Sequence, residues 1–183
     1  MEYSAAVRRE ALLEDWLLRF YFFSAAGWVW EVLLTGVTDG NWVNRGLLHG
    51  PWLPIYGIGG VLLTAMLEEA RHPAEPFLTG MLLGGTVEYG TALILENWYH
   101  QRWWDYSGWL GSIQGRICLA SIAAFAAAGW LVSWAAPTIT RLLGRIPGRS
   151  KTIFCRTVSA IFALDWALSL VWPNAGAGIT CPL

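Results

Sequence analysis

Lysine is almost absent from this 183-residue chain, Lys151 being the single example, and charged residues of every kind amount to 14%. An ordinary soluble domain carries about 25% charge, so that class is excluded, together with disordered chains and coiled coils. The formal charge of −1 points to neither nucleic-acid nor strongly acidic partners. No nucleotide-binding loop is present: backbone cradling of phosphates needs Gly-x4-Gly-Lys-Ser/Thr, and Gly144 to Lys151 has the wrong glycine spacing. No small-residue cleavage site follows the first apolar segment, which is therefore expected to act as an uncleaved signal anchor. Internal repeats and low-complexity tracts are lacking too. The three cysteines add little. Cys118 and Cys155 are expected near opposite ends of their spans, Cys181 could in principle reach Cys118, and buried Cys as a small hydrophobe is the better reading.

What the chain has is apolar length. Hydrophobic residues make up 55%, thirteen are tryptophan, and the mean hydropathy is +0.43. Tryptophan collects at membrane interfaces, and a spanning helix needs about 20 apolar residues. The expected fold is all-α: a polytopic transmembrane bundle of about five spans, at 16–36, 54–67, 76–96, 114–136 and 152–172, with structured, partly re-entrant loops. Residues 1–15 form an N-terminal segment, 16–172 one membrane-embedded domain, and 173–183 a tail. Gly50, Pro51, Pro54 and Gly57 forbid a regular helix before about Pro54, and Pro137 is expected to close the fourth span. No length remains for a soluble catalytic or ATP-binding domain.

Orientation follows the arginines, because positive charge is retained on the cytoplasmic side. Arg8, Arg9, Arg71, Arg141, Arg145, Arg149 and Lys151 fall on one side, and Arg45, Arg102 and Arg116 on the other. This predicts a cytoplasmic N-terminus and an outward C-terminus. Two loops rich in Gly, Trp and charge, 39–57 and 97–116, then share the outer side. Irregular backbone at membrane depth survives only when buried in protein or lining a wet cavity, so a re-entrant loop here would build a polar site.

Three motifs in register carry a family likeness: Asn44-Arg45-Gly46-Leu47-Leu48-His49-Gly50-Pro51-Trp52-Leu53-Pro54-Ile55-Tyr56-Gly57, then Trp103-Trp104-Asp105-Tyr106-Ser107, then Gly115-Arg116-Ile117-Cys118-Leu119. With Gly27-Trp28 to Glu31 and Glu88-Tyr89, they resemble the bacterial family named putative ABC-transporter type IV, also called CmpB-like. The likeness covers about residues 18 to 135 and leaves out the first 15 residues and Thr152 onward. It implies a membrane transport component whose ATPase, if there is one, is another chain.

Charges inside a bilayer cost about 2.5 to 3.5 kcal/mol each on insertion scales and usually find partners in the bundle interior. Glu31 and Glu88 are the deepest acids. Ser24, Gly27 and Glu31 share one helical face, and Glu88, Ala92, Leu95 and Tyr99 another. These acids read either as a proton or cation relay, or counter-charge for a cationic substrate, or as structural partners for Arg45 or Arg116. Glu96 lies near the outer boundary. Arg116, a permanent planar cation, either binds an anionic substrate group or pairs with Asp105 or Glu96, and Arg45 divides in the same way. His49 and His100, with Glu96 and Asp105, give only a faint metal pattern, so no metal and no cofactor are assigned. Trp103, Trp104 and Tyr106, with Trp98, Tyr99 and Trp109, make an aromatic cluster: an interfacial belt, or a cation–π box completed by Asp105. Asp165 is expected to pair with an arginine or face an oligomer contact. Arg156, about 13 Å away along the helix, is too far to be that partner.

The functional readings are three. A transport component, permease-like or self-contained, comes first, with Glu31, Arg45, His49, Glu88, Glu96, Asp105 and Arg116 as path candidates. A non-catalytic accessory or scaffold subunit is the alternative. A membrane enzyme acting on a lipid-linked substrate is the third, without a readable nucleophile–base pair. The bilayer is the expected environment, and the small size predicts a homo-oligomer or partner membrane or ATPase subunits.

Overall fold

The computed structural model describes residues 2–68 and 70–181, with the side chains of 2–9 left out, so Arg8 and Arg9 lie outside the described side chains. Among the described residues there are five helices: α1 (Glu2–Thr38), α2 (Pro54–Leu67), α3 (Glu75–Tyr99), α4 (Leu119–Gly144) and α5 (Gly148–Val171). Four stretches, Glu10–Thr38 within α1 and the whole of α3, α4 and α5, are long and apolar enough to cross a membrane. Exposed leucine, valine and tryptophan cover their outer faces, as expected of helices whose solvent is lipid. The protein is an all-helical membrane bundle.

α2 differs from the rest. Its 14 residues reach about 21 Å at 1.5 Å per residue, short of the ~30 Å hydrocarbon core. The chain makes up the shortfall with irregular backbone. After Thr38, residues 39–53 fold back along α1 until the Leu53 N–H donates to the Ser24 carbonyl at 3.0 Å, about 21 Å from the end of α1. Pro54 then starts α2, where its missing N–H costs nothing. The stretch 39–67 is therefore discontinuous, loop first and half-helix second. Glycines make the fit possible: a Cβ on Gly57 would lie 2.2 Å from Ser24 Oγ, and one on Gly27 2.2 Å from the Tyr56 ring.

α3 and α4 meet at glycine as well. A Cβ on Gly129 would fall 2.1 Å from the Pro76 carbonyl oxygen and 2.9 Å from the Gly80 Cα, the small-residue contact that lets helix backbones approach within a bilayer. α4 begins later than the apolar run suggests. Gln114 and Gly115 take left-handed φ values of 54° and 74°, and the helix starts after Cys118, whose sulfur and amide exchange bonds with Ser121. At its other end α4 runs through Pro137 to Gly144. Nearby polar side chains serve the backbone carbonyls there: Thr140 Oγ1 donates to Ala136 O at 2.9 Å and Arg141 Nε to Pro137 O at 3.2 Å. These bonds lie at and after the proline; the carbonyl that Pro137 leaves without its usual N–H is that of Ser133, one turn earlier.

α5 runs parallel to α1, since Lys151 pairs with Asp15 at 2.6 Å and Ser159 accepts from the Tyr21 hydroxyl at 2.8 Å. The loops 39–53 and 100–118 and the tail 172–181 gather at one end of the bundle. Asn174 Nδ2 donates to Asn44 O and Gly46 O, and Arg102 and Cys181 form an antiparallel bridge.

Candidate functional site

That loop-rich end contains every path candidate named from the sequence, in four clusters. The deepest joins α1, α2 and the second loop. Tyr56, two residues into α2, donates its hydroxyl to Glu31 Oε1 at 2.5 Å. Gly27, one helical turn before Glu31, leaves room for the ring. Glu31 Oε2 also faces Arg45 Nε at 3.9 Å. From α3, Glu88 accepts the Tyr106 hydroxyl at 3.1 Å on Oε1. It is 6% exposed, and its Oε2 has no partner among the described residues. Glu31 and Glu88 are close enough to interact electrostatically.

The second cluster surrounds Glu96 on the last turns of α3. Arg102 Nε lies 3.0 Å from Oε1 and Arg116 Nη2 2.5 Å from Oε2, so one buried carboxylate is held between two guanidiniums. Arg102 also meets Asp105 at 3.3 Å. Asp105 accepts the Ser107 amide at 2.9 Å and hydroxyl at 2.6 Å. Those hydrogen bonds, helped by the charge of Arg102, hold its carboxyl below the usual aspartate range. Gly115 closes against this pair: a Cβ there would lie 2.5 Å from Asp105 Oδ1 and 2.7 Å from Arg102 Nη1. Arg116 further lies 5.4 Å over the Tyr89 ring and bonds Gln114.

Arg45 anchors the third cluster. Its Nη1 donates to Ile179 O at 3.1 Å and Gly178 O at 3.3 Å, and its Nη2 to Trp103 O at 3.0 Å. One side chain thereby ties the re-entrant loop to the second loop and the tail.

The fourth cluster corrects the reading of Asp165. It pairs with no arginine among the described residues. It accepts the His49 amide at 3.0 Å on Oδ1, and the Gly50 amide at 2.8 Å and Trp52 Nε1 at 2.7 Å on Oδ2. Asp165 is thus the peg on which the re-entrant loop hangs from α5. His49 Nδ1 contacts Ser169 Oγ at 3.1 Å and Asp165 at 3.6 Å. A serine–histidine–aspartate relay needs its two partners on different ring nitrogens; here both face Nδ1, and Ser169 is fully buried. The trio braces the loop.

The aromatic residues do not line one box. Trp103, 3% exposed, packs edge-on to Tyr99 at 5.6 Å and donates to Asn174 O. Trp104 donates to Arg116 O, and Tyr106 reaches Glu88. Trp98 and Trp109 stand exposed at the rim of the bundle. His100 is the left-handed cap of α3, apart from His49. Among the described residues no three His, Cys, Asp or Glu side chains converge on a point suited to a metal, and the cysteines are free thiols.

Sequence reasoning missed Tyr56, Trp52 and Asn174 and used Arg102 only to count charge. Tyr56 carried a signal, since it lies in the turn just after the Pro54 break. Asn174 carried none.

The family model described as putative ABC-transporter type IV matches residues 18–170. The match includes α5, so it extends beyond the 18–135 stretch that holds the recognisable motifs. No curated protein and no solved structure matches the chain.

Proposed function

The chain belongs to the putative ABC-transporter type IV family, and from that premise we propose that it is the membrane-embedded component of a transport assembly. Its polar site is formed by the loops 39–53 and 100–118 together with Glu31 and Glu88. The observation that carries this reading is the discontinuous second crossing. Broken helices whose half-helix starts lie beside intramembrane charge are a recurring way of building substrate sites in transporters. Here the break at Leu53–Pro54 lies against Ser24, and the first turn of α2 delivers Tyr56 to Glu31.

In this reading the end bearing Arg71, Arg141, Arg145, Arg149 and Lys151 faces the cytoplasm of a bacterial inner membrane, and the loop-rich end and the C-terminal tail face outward. Five crossings are a small bundle for enclosing a pathway, which favours a homo-oligomer or a complex with further membrane or ATPase subunits. A second reading, an accessory or scaffold subunit, is favoured by the full pairing of Glu96, Arg102, Asp105 and Arg116. The test is the composition and mass of the complex purified from native membranes in mild detergent. A stoichiometric nucleotide-binding partner, or a defined homo-oligomer, supports transport. A monomer without partners at every concentration contradicts it.

A further inference from the structure

We propose that Glu88 is a proton-binding site within the bundle, with Oε2 the oxygen that takes the proton and Tyr106 the residue that positions it. The buried acids differ in what surrounds them. Glu96 is neutralised by two arginines, Asp165 is satisfied by three N–H donors, and Glu31 has the Tyr56 hydroxyl and the Arg45 cation. Glu88 has only neutral hydroxyls beside it: Tyr106 donates to Oε1, and Ser121 lies close but donates to the Cys118 carbonyl at 3.1 Å. Glu88 is as buried as Glu96, yet no cation lies within ion-pair distance of it among the described residues.

The groups facing it from each neighbouring element deepen the contrast: Glu31 on α1, Tyr56 on α2, Tyr106 on the second loop, and Ser121 in the first turn of α4. None is cationic, and Glu31 adds a negative charge. An isolated buried carboxylate is far costlier than an unpaired neutral hydroxyl, and a group so placed neutralises itself by taking a proton. With the Tyr106 hydroxyl donating to Oε1, that oxygen serves as acceptor and Oε2 is left to bear the proton. Tyr106 belongs to the loop-rich end, beside exposed Asp105 and Ser107, so the proton site is one side chain removed from solvent.

The site stands on this geometry alone. Its use in coupled movement rests on the transport reading above. The experiment is pH-difference infrared spectroscopy of the full chain in lipid nanodiscs, read at the C=O stretch of protonated carboxyls. A carboxyl band should be present at about pH 5, be lost reversibly by about pH 9, and be missing from Glu88→Gln. In Tyr106→Phe the band should remain but shift in frequency, because its hydrogen bond to Oε1 is gone. Glu88→Gln spectra that superimpose on wild type at every pH would overturn the proposal. Should Glu88→Gln fail to fold, Tyr106→Phe decides on its own, and an unmoved band overturns the proposal. A titrating Glu88 band in a chain that purifies as a partnerless monomer would keep the proton site and refute the transport reading instead.

Discussion

Replacing Asp165 by Asn should release the re-entrant loop while leaving the helices intact. The carboxylate is 11% exposed and accepts three donors from loop 47–53, two on Oδ2 and one on Oδ1. An asparagine oriented to keep the Gly50 and Trp52 bonds turns its own NH2 toward the His49 amide, donor against donor. One hydrogen bond to a charged acceptor is lost and the other two are weakened, a combined loss of about 2–3 kcal/mol. That corresponds to a roughly 30- to 150-fold rise in the opening equilibrium of the loop. α5 keeps its separate attachments through Lys151–Asp15 and Tyr21–Ser159, so global unfolding is not required. Amide hydrogen exchange in mild detergent reads the effect directly: a peptide covering 47–53 should exchange faster by that factor, with peptides from α3 and α4 unchanged. A change in the 47–53 peptide of less than about threefold, or an equal rise across all helices, would refute the assignment of Asp165 as the peg.

Gly129→Ala should destabilise the bundle by about 1–3 kcal/mol or more, because the added methyl meets the Pro76 carbonyl and the Gly80 backbone, which cannot rotate away; thermal unfolding in detergent measures it, and a wild-type midpoint would show that α3 and α4 do not meet there. Glu96→Gln leaves Arg102 and Arg116 facing each other without their shared counter-charge and should cost about 3–5 kcal/mol, visible as loss of monodisperse protein on heating; a variant as stable as wild type would contradict the two-arginine clamp. The depressed Asp105 carboxyl contributes stability that is present above the ordinary aspartate range and is lost as pH falls below about 4. The effect is small, because the side chain is about one-third exposed and solvent screens it. Asp105→Asn should therefore flatten the acid limb of a stability–pH curve, and an unchanged limb would remove Asp105 from that account.

Composition and punctuation made the architecture legible. Low charge and long apolar runs determine the membrane class, and Gly50, Pro51 and Pro54 mark where a regular helix cannot run. What the sequence could not show was which partner each charge takes. The donors to Asp165 lie 113 to 116 residues away in sequence and two of them are backbone amides, invisible to any argument from residue type. Pro137 misled in the opposite direction: it removes a single N–H from the ladder, and the helix continues past it to Gly144 as proline-bearing membrane helices do. The start of α4 was obscured because Gln114 and Gly115 turn left-handed, a backbone choice that the expected span from 114 did not anticipate. Of the paired-charge alternatives, the sequence already contained the Arg116–Glu96 and Arg45–Glu31 pairs. It gave no means of choosing between them and the ligand-binding readings.

The break in the second crossing is best tested by a disulfide. A Cβ on Gly57 would lie 2.2 Å from Ser24 Oγ, which puts the two Cβ atoms no more than about 3.6 Å apart, at or just under the short end of the ~3.5–4.5 Å a disulfide accepts, so a small outward shift of α2 completes the bridge. With the native cysteines replaced and Phe20→Leu making room, Ser24→Cys with Gly57→Cys should cross-link under mild oxidation in native membranes. The bridge is detected with a protease site introduced at Gly40, between the paired positions and in open space: the two fragments stay joined until reduction. Thr38→Cys with Gly57→Cys, separated by about 21 Å along α1, should not link. Cross-linking of the Thr38 pair without the Ser24 pair would mean that α2 begins at the membrane surface, and the internal polar site would no longer have a place to form.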